Sequence, residues 1–213
     1  MVWRWNRLFL IVWAALLLYS ILFAPGDLQG SMELAGDVIT DPFGMEPLLF
    51  MVFNIMGIWP MVYAGVLLFE DNKGKLPSWP FVIASFFSGA FSLLLYAGLR
   101  RPMRDRTRDS GILLRILDSR IYALFLKIAA VLLLAYGIGM GDPSEYLDLF
   151  SSSSLVHIMT LDLLALTILS PFFMRDDMRR RGWGGRKIFW VYALVPLLGP
   201  ISYLLTRPRV ISK

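Results

Sequence analysis

The chain has no cysteine and a single histidine in its 213 residues. The first absence excludes disulfides, thiolate metal sites, iron–sulfur clusters and a cysteine nucleophile. The second excludes a multi-histidine zinc site. Charge is scarce as well: 17% of residues are charged and 57% are hydrophobic, where a soluble domain carries about 25% and about 45–50%. No P-loop, GxGxxG, HExxH or GxSxG motif is present. The apolar excess lies in long uncharged runs and gives a mean hydropathy of +0.62. This composition predicts an integral membrane protein and excludes a soluble enzyme, a secreted disulfide scaffold and a DNA-binding domain. The net charge of +5 calls for no nucleic acid, because membrane proteins keep basic loops on the cytoplasmic side. The partners it predicts are the lipid bilayer and other membrane proteins.

Six apolar segments are present, roughly Leu8–Ala24, Pro47–Leu68, Phe81–Leu99, Ile121–Met140, Leu155–Phe173 and Ile188–Thr206. Each is long enough to cross a hydrocarbon core of about 30 Å as a helix, and in lipid only helices pair every backbone amide within one element. Trp3, Trp5, Trp59, Trp79 and Trp190 lie near segment ends, where interfacial anchors are expected. Arg4 and Arg7 before the first segment resemble a signal-peptide start. The run is long for one, and Phe-Ala-Pro-Gly is a poor cleavage site, so an uncleaved first span is expected.

The second half repeats the first. Gly26-Asp27 and Gly141-Asp142 are 115 positions apart. Glu70-Asp71 and Asp176-Asp177 are 106 apart, as are Arg101-Pro102 and Arg207-Pro208. The fold expected is an all-α polytopic membrane helix bundle of two tandem three-segment repeats. The first repeat covers residues 1–102 and the second 121–213, with a basic cytoplasmic linker at 103–120.

Charges follow the same division. Residues 25–46 hold Asp27, Glu33, Asp37, Asp41 and Glu46 without a Lys or Arg, and residues 141–154 hold Asp142, Glu145 and Asp148, again without one. Residues 100–120 carry seven Arg, and residues 174–187 carry five Arg and Lys187. The positive-inside rule puts both acidic loops outside and both basic loops inside. Six plain spans cannot do this, because they leave the acidic loops on opposite sides. If segments three and six enter and return on one side, every Lys and Arg but Lys127 is inside. Pro196, Gly199 and Pro200 in the middle of segment six favour such a turn; segment three has only Gly89. Both topologies stay open at this level. The equal charge bias of the halves counts against an inverted-repeat transporter.

Few residues suggest chemistry. Asp162 is the one acid inside a segment, where a charge costs at least ~2.5 kcal/mol; it suits an interhelical hydrogen bond or a proton or ligand site. Lys127 reads as a snorkelling lysine. His157, after four serines, is either an interfacial capping residue or an axial ligand to a tetrapyrrole metal. Asn54 and Thr160 occupy corresponding positions, as a polar pair joining helices or as part of a pocket between the repeats. The basic clusters Arg100–Arg106 and Arg175–Lys187 set topology or bind anionic lipid head groups. Asp176-Asp177 before Arg179–Arg181 has the look of an acidic metal–diphosphate motif, but no second acidic cluster matches it. Residues 112–117, with Ile112, Leu113, Ile116 and Leu117 on one face, predict a short interfacial helix.

The string His157-Ile-Met-Thr-Leu-Asp162, the run from Pro171 to Trp183, the run from Pro196 to Pro208, and Asp41-Pro-Phe-Gly-Met-Glu-Pro47 resemble a group of small polytopic membrane proteins of cyanobacteria and plastids. The resemblance implies a location, a thylakoid membrane or, equally, a bacterial inner membrane. It lends no catalytic residue. No Arg/Ser-rich transit peptide precedes the first segment, which suits a bacterial source. Two functions remain: a non-enzymatic scaffold, assembly factor or pigment- or lipid-holding subunit, and a small transporter or membrane enzyme using Asp162. Convergence of Asp162 and Asn54 on a polar, ligand-sized cavity between the repeats would favour the transporter or enzyme, and a packed seam the scaffold.

Overall fold

The computed structural model describes residues 2–26, 28–41, 44–70, 76–100, 111–183 and 186–209. Every regular element among them is helical: α1 (Val2–Leu22), α2 (Leu28–Thr40), α3 (Pro47–Leu67), α4 (Trp79–Ser88), α5 (Ala90–Leu99), α6 (Ile112–Leu117), α7 (Arg120–Met140), α8 (Pro143–Ser152), α9 (Ser154–Arg180), α10 (Arg186–Ala193) and α11 (Leu198–Thr206). Helices α3, α7 and α9 are long and apolar enough to cross a membrane, and α1 carries a shorter apolar stretch, Asn6–Leu22.

Helix starts follow local chemistry. Glu46 caps α3, accepting the Leu49 amide at 2.7 Å, and Pro47 occupies the first turn, where no amide partner is needed. The second Glu46 oxygen accepts the Asp142 amide at 2.9 Å, tying the start of α3 to the start of α8. Ser119 caps α7 through the Tyr122 amide. Pro171 within α9 cannot donate to the Thr167 carbonyl; the Ser170 hydroxyl donates to it instead at 3.0 Å.

Segments three and six are not continuous helices. Segment three breaks at Gly89, and its arms fold back on each other. Ser92 donates across to the Phe81 carbonyl at 3.1 Å, and the Phe81 and Tyr96 rings lie 5.2 Å apart. In a straight helix fifteen residues would separate those rings by about 22 Å. Segment six breaks between α10 and α11 and also folds back: Tyr192 and Thr206 share a hydrogen bond of 2.8 Å, and the Tyr192 and Tyr203 rings lie 6.0 Å apart. Six uninterrupted apolar helices are therefore replaced by four longer helices and two helical hairpins.

The long helices share two ends. At one, Asn6 of α1 donates to the Arg100 carbonyl after α5, Ser78 before α4 donates to Leu67 at the end of α3, and Arg180 at the end of α9 donates to Val66. At the other, Ser154 of α9 donates to Pro25 after α1. Both hairpins open on the first end. Between the ends, α3 packs on α7 and α9: Tyr63 donates to the Leu166 carbonyl and Tyr122 to that of Met61, while Phe50 and Tyr136 meet edge to face. The core centres on Trp59, Tyr63, Tyr96, Phe173 and Tyr203, all under 2% exposed. Trp59, expected as an interfacial anchor, is thus a core residue; Trp79 and Trp190 are about half exposed. In α6, Leu114 and Leu117 face protein, whereas Ile112, Leu113 and Ile116 face outward.

Candidate functional site

The break in the first hairpin creates the site. Gly89 has φ 52° and ψ −126°, a conformation that favours glycine. The helix that follows, α5, begins inside the bundle, so its first amides need partners that water cannot supply. Asp162 of α9 supplies one: its Oδ1 accepts the Ala90 amide at 2.8 Å, and the Phe91 amide is also directed at the carboxylate. The positive end of the α5 dipole favours a negative group there. Gly89 packs so closely on this carboxylate that a Cβ would collide with it. Asp162 is 2% exposed, and its Oδ2 has no hydrogen-bond partner.

Beside the hairpin tip lies a cavity of about 490 Å³. Asp162 and Asn54 both line it, with Ser85, Ser88 and Gly57; aromatic and aliphatic side chains such as Phe53, Phe91 and Met159 form the rest. Phe87, at its edge, is 92% exposed. Lys127 has no ion pair with Asp162.

The other sequence candidates fall elsewhere. Thr160 bonds to Tyr146 at 2.6 Å and to the Val156 carbonyl; Asn54 donates to the Phe50 carbonyl at 2.8 Å. The two do not pair with each other. His157 stacks between Tyr19 and Phe150, its Nε2 bonded to the Tyr19 hydroxyl at 2.8 Å and its Nδ1 to the Phe150 carbonyl at 2.9 Å. Both ring nitrogens are hydrogen-bonded, so the axial-ligand alternative finds no free nitrogen in this arrangement.

A second polar centre, at the hairpin-opening end, was only partly visible in the sequence. Glu70 accepts from Tyr96 at 2.9 Å and pairs with Arg100 at 3.3 Å. Asp177 accepts from Tyr203 at 2.7 Å and pairs with Arg207 at 2.9 Å. The spacings are the same in each triad: the tyrosine lies 26 residues and the arginine 30 residues after the acid. The sequence alignment at 106 had set Glu70 against Asp176 and Arg101 against Arg207. Acidic and arginine doublets leave such an alignment uncertain by one residue, and the equivalent contacts belong to Asp177 and Arg100.

Further pairs knit the triads together: Arg100 to Asp176, Arg180 to both Glu70 and Asp177, Arg181 to Asp177 and Asp118, and Arg207 to Asp118. Four carboxylates thus meet four guanidiniums, with Arg100 and Arg181 over the rings of Phe173 and Phe69. Arg180 and Arg181, expected among the lipid-facing basic residues, are buried in these pairs; Arg175 and Arg179 remain exposed. Asp176 and Asp177 are likewise occupied. Residues 101–110, with the rest of the first basic cluster, lie outside the described residues. Among the described residues no cluster of His, Asp and Glu has the arrangement of a metal site. Comparison with protein-family models, with curated proteins and with solved structures finds no match.

Proposed function

We propose that this is an integral membrane protein of two tandem three-segment units that holds an apolar molecule, a lipid or a pigment, at the tip of its first hairpin. Each unit has a spanning helix, an outer helix, a second spanning helix and a re-entrant hairpin: α1 to α5 in the first, α7 to α11 in the second. The matched Tyr–acid–Arg triads support the duplication. The shared ends of the helices support four spans, with every described Lys and Arg except Lys127 toward one face. That face is cytoplasmic by the positive-inside rule, in a bacterial inner membrane or a thylakoid membrane.

The observation that carries the function is the cavity. Helix α5 has ten residues, so its buried start lies about 15 Å from the Arg100 end, near the middle of a core of about 30 Å. A pocket at that depth, walled by aromatic and aliphatic groups with a few fixed polar ones, is built for a lipid-soluble occupant. The transporter or membrane-enzyme alternative fits less well, because Asp162 is committed to the start of α5 and the cavity wall is largely apolar. The role that follows is a holding or scaffolding one in a membrane assembly.

Gly57 provides the test. It lines the cavity, and a Cβ there would meet nothing within 4 Å. Gly57→Leu should fold normally while filling the space. Wild-type protein purified in mild detergent should carry a stoichiometric apolar molecule, seen by mass spectrometry of its organic extract, and the variant should have lost it. Equal extracts from both would refute the reading.

A further inference from the structure

The first hairpin enters from the Arg100 end and turns back about halfway through the hydrocarbon core, so the depth beyond its tip is left to something else. The cavity lies in that remaining depth. On α9 its lining runs from Leu155, the second residue of the helix, to Asp162, a rise of about 10 Å. On α3 it covers Phe53 to Gly57, roughly 9–15 Å from the start of that helix at Pro47. Both helices start at the end away from the hairpin openings. The cavity therefore occupies the half of the bilayer toward α2 and α8, with the hairpin tip, Ser85 to Gly89, as its floor.

Its protein side is closed. Leu49 and Val52 of α3 pack on Val156 and Met159 of α9, with Leu34 of α2 and Leu149 of α8 against them. The rim on the other side is formed by Phe53, Phe86 and Phe87, which are 44%, 47% and 92% exposed. Large apolar side chains exposed at that depth face hydrocarbon, so the way in is sideways, from the lipid. The polar groups of the wall are engaged within the protein. Ser85 and Ser88 donate to the Val82 and Ala84 carbonyls of their own helix. Asp162 accepts the Ala90 amide, and its second oxygen is packed against Gly89. Asn54 gives one amide proton to Phe50 and keeps another. A space of about 490 Å³ suits one small molecule, hence one chain of a membrane lipid and not the whole of it. We infer that the cavity takes one hydrocarbon chain of a lipid from the leaflet on the α2 and α8 side, entering past Phe53 and Phe87, with its head group left at the surface. This rests on the reading of the cavity as a site for an apolar molecule, and specifies which leaflet supplies it and which part is bound.

The test uses the intact chain in spheroplasts and in inverted membrane vesicles of an expressing bacterium. A phosphatidylcholine with a diazirine halfway along one chain is exchanged into the accessible leaflet and irradiated at once. Cross-linked residues are then read by mass spectrometry. Ile138 and Ile121, 72% and 80% exposed near opposite ends of α7, report which leaflet carries the probe. Ser85 and Met159, 2% and 6% exposed, report a chain inside the cavity. Ser85 and Met159 should be labelled in the preparation that labels Ile138 and not in the one that labels Ile121. Gly57→Leu should lose the wall labelling and keep that of Ile138. Asn54→Leu should keep both, because a bound hydrocarbon needs no hydrogen bond from the wall. Wall labelling that accompanies Ile121, or both reporters equally, and is lost in Gly57→Leu, would overturn the leaflet assignment and leave the cavity reading intact. Loss of wall labelling in Asn54→Leu, with Ile138 still labelled, would overturn the hydrocarbon assignment in favour of a polar group held at depth. Wall labelling absent from both preparations, or unchanged in Gly57→Leu, would overturn the inference. The cavity reading would then stand only if the extract of the purified protein still held an apolar molecule that Gly57→Leu removes.

Discussion

The two hairpins meet the same difficulty, a helix that begins inside the bundle, in different ways. In the second, the start of α11 satisfies itself: Leu198 donates to the Pro196 carbonyl, Gly199 to Val195 and Ile201 to Leu197, while Pro200 has no amide to satisfy. In the first, the start of α5 depends on a carboxylate 72 residues away in sequence, on α9. One tip is closed by its own backbone and prolines. The other is completed by the opposite half of the molecule, and beside it a cavity remains. The two tips thus differ in what closes them, local backbone at one and a side chain of α9 at the other.

The frame itself should show the largest effects. Asp177 is 0% exposed and pairs with Arg180, Arg181 and Arg207; Glu70 pairs with Arg100 and, more distantly, with Arg180. Removing one member of a buried pair costs about 3–5 kcal/mol, because its partner is left buried and uncompensated. Asp177→Asn should lose that much or fail to accumulate. Glu70→Gln should lose less, because it takes one acidic partner from two arginines, which keep Asp176 and Asp177, rather than from three. Thermal unfolding in one detergent ranks them. If Glu70→Gln proved the more damaging, the two triads would not be equivalent parts of one frame.

Next come the tips. Asp162→Leu removes the cap and leaves the Ala90 amide unsatisfied, a loss of about 2–4 kcal/mol from the cap and the stranded donor together. Asp162→Asn keeps an acceptor for that amide and should lose about 1 kcal/mol. Gly89→Ala and Gly199→Ala should both be severe, but for different reasons. At Gly89 the added Cβ meets the Asp162 carboxylate; at Gly199 it meets the Tyr192 backbone. Asp162→Ala should therefore partly rescue Gly89→Ala, and no single side-chain truncation should rescue Gly199→Ala. A double-mutant cycle without coupling between Gly89 and Asp162 would detach the first tip from α9.

Much of this was legible in the sequence, and what was not has a physical cause. Charge placement favoured a turn back in segments three and six, since six plain spans leave the acidic loops on opposite sides, but it left the six-span topology open. The break in segment six had three visible residues, Pro196, Gly199 and Pro200. The break in segment three had only Gly89, because its cap lies on a distant helix and leaves no local mark. Asp162 stood out as the lone acid in an apolar run, but its partner could not be read from spacing. His157 was visible as a histidine; that Tyr19 and Phe150 occupy its ring is a tertiary fact. The ionic centre was seen as loop charge, since a sequence does not say which arginines turn inward.

Topology separates the hairpin frame from six plain spans without a functional assay, and the absence of native cysteine makes labelling clean. Single cysteines at Gly111, Gly182 and Arg209, all exposed and at the hairpin-opening end, should react with an impermeant reagent from one face only. Cysteines at Asp41 and Ser152, exposed at the other end, should react from the opposite face. Asp41 and Ser152 on opposite faces would mean that at least one hairpin is in fact a crossing.

The smallest expected difference lies between the bonds that hold each hairpin's arms together. In the first, the Ser92 hydroxyl is shared between the Phe81 carbonyl at 3.1 Å and the Gly89 carbonyl at 3.3 Å, and Ser92 is buried. In the second, Thr206 and Tyr192 bond at 2.8 Å near the open end, and Thr206 is exposed. Ser92→Ala leaves the Phe81 carbonyl without its cross-arm donor, at a depth where water does not replace it. The loss should be about 1 kcal/mol, the typical net value of one hydrogen bond. Thr206→Val keeps the shape, and both freed partners can turn to the interface; the loss should be about 0.5 kcal/mol or less. Denaturation of each variant in one detergent gives the comparison. The shorter bond should thus be the weaker contributor, because burial rather than length decides what a broken hydrogen bond costs. The reverse order would mean that the second hairpin is held by its open end, and that its tip, for all its satisfied amides, contributes little to keeping the arms together.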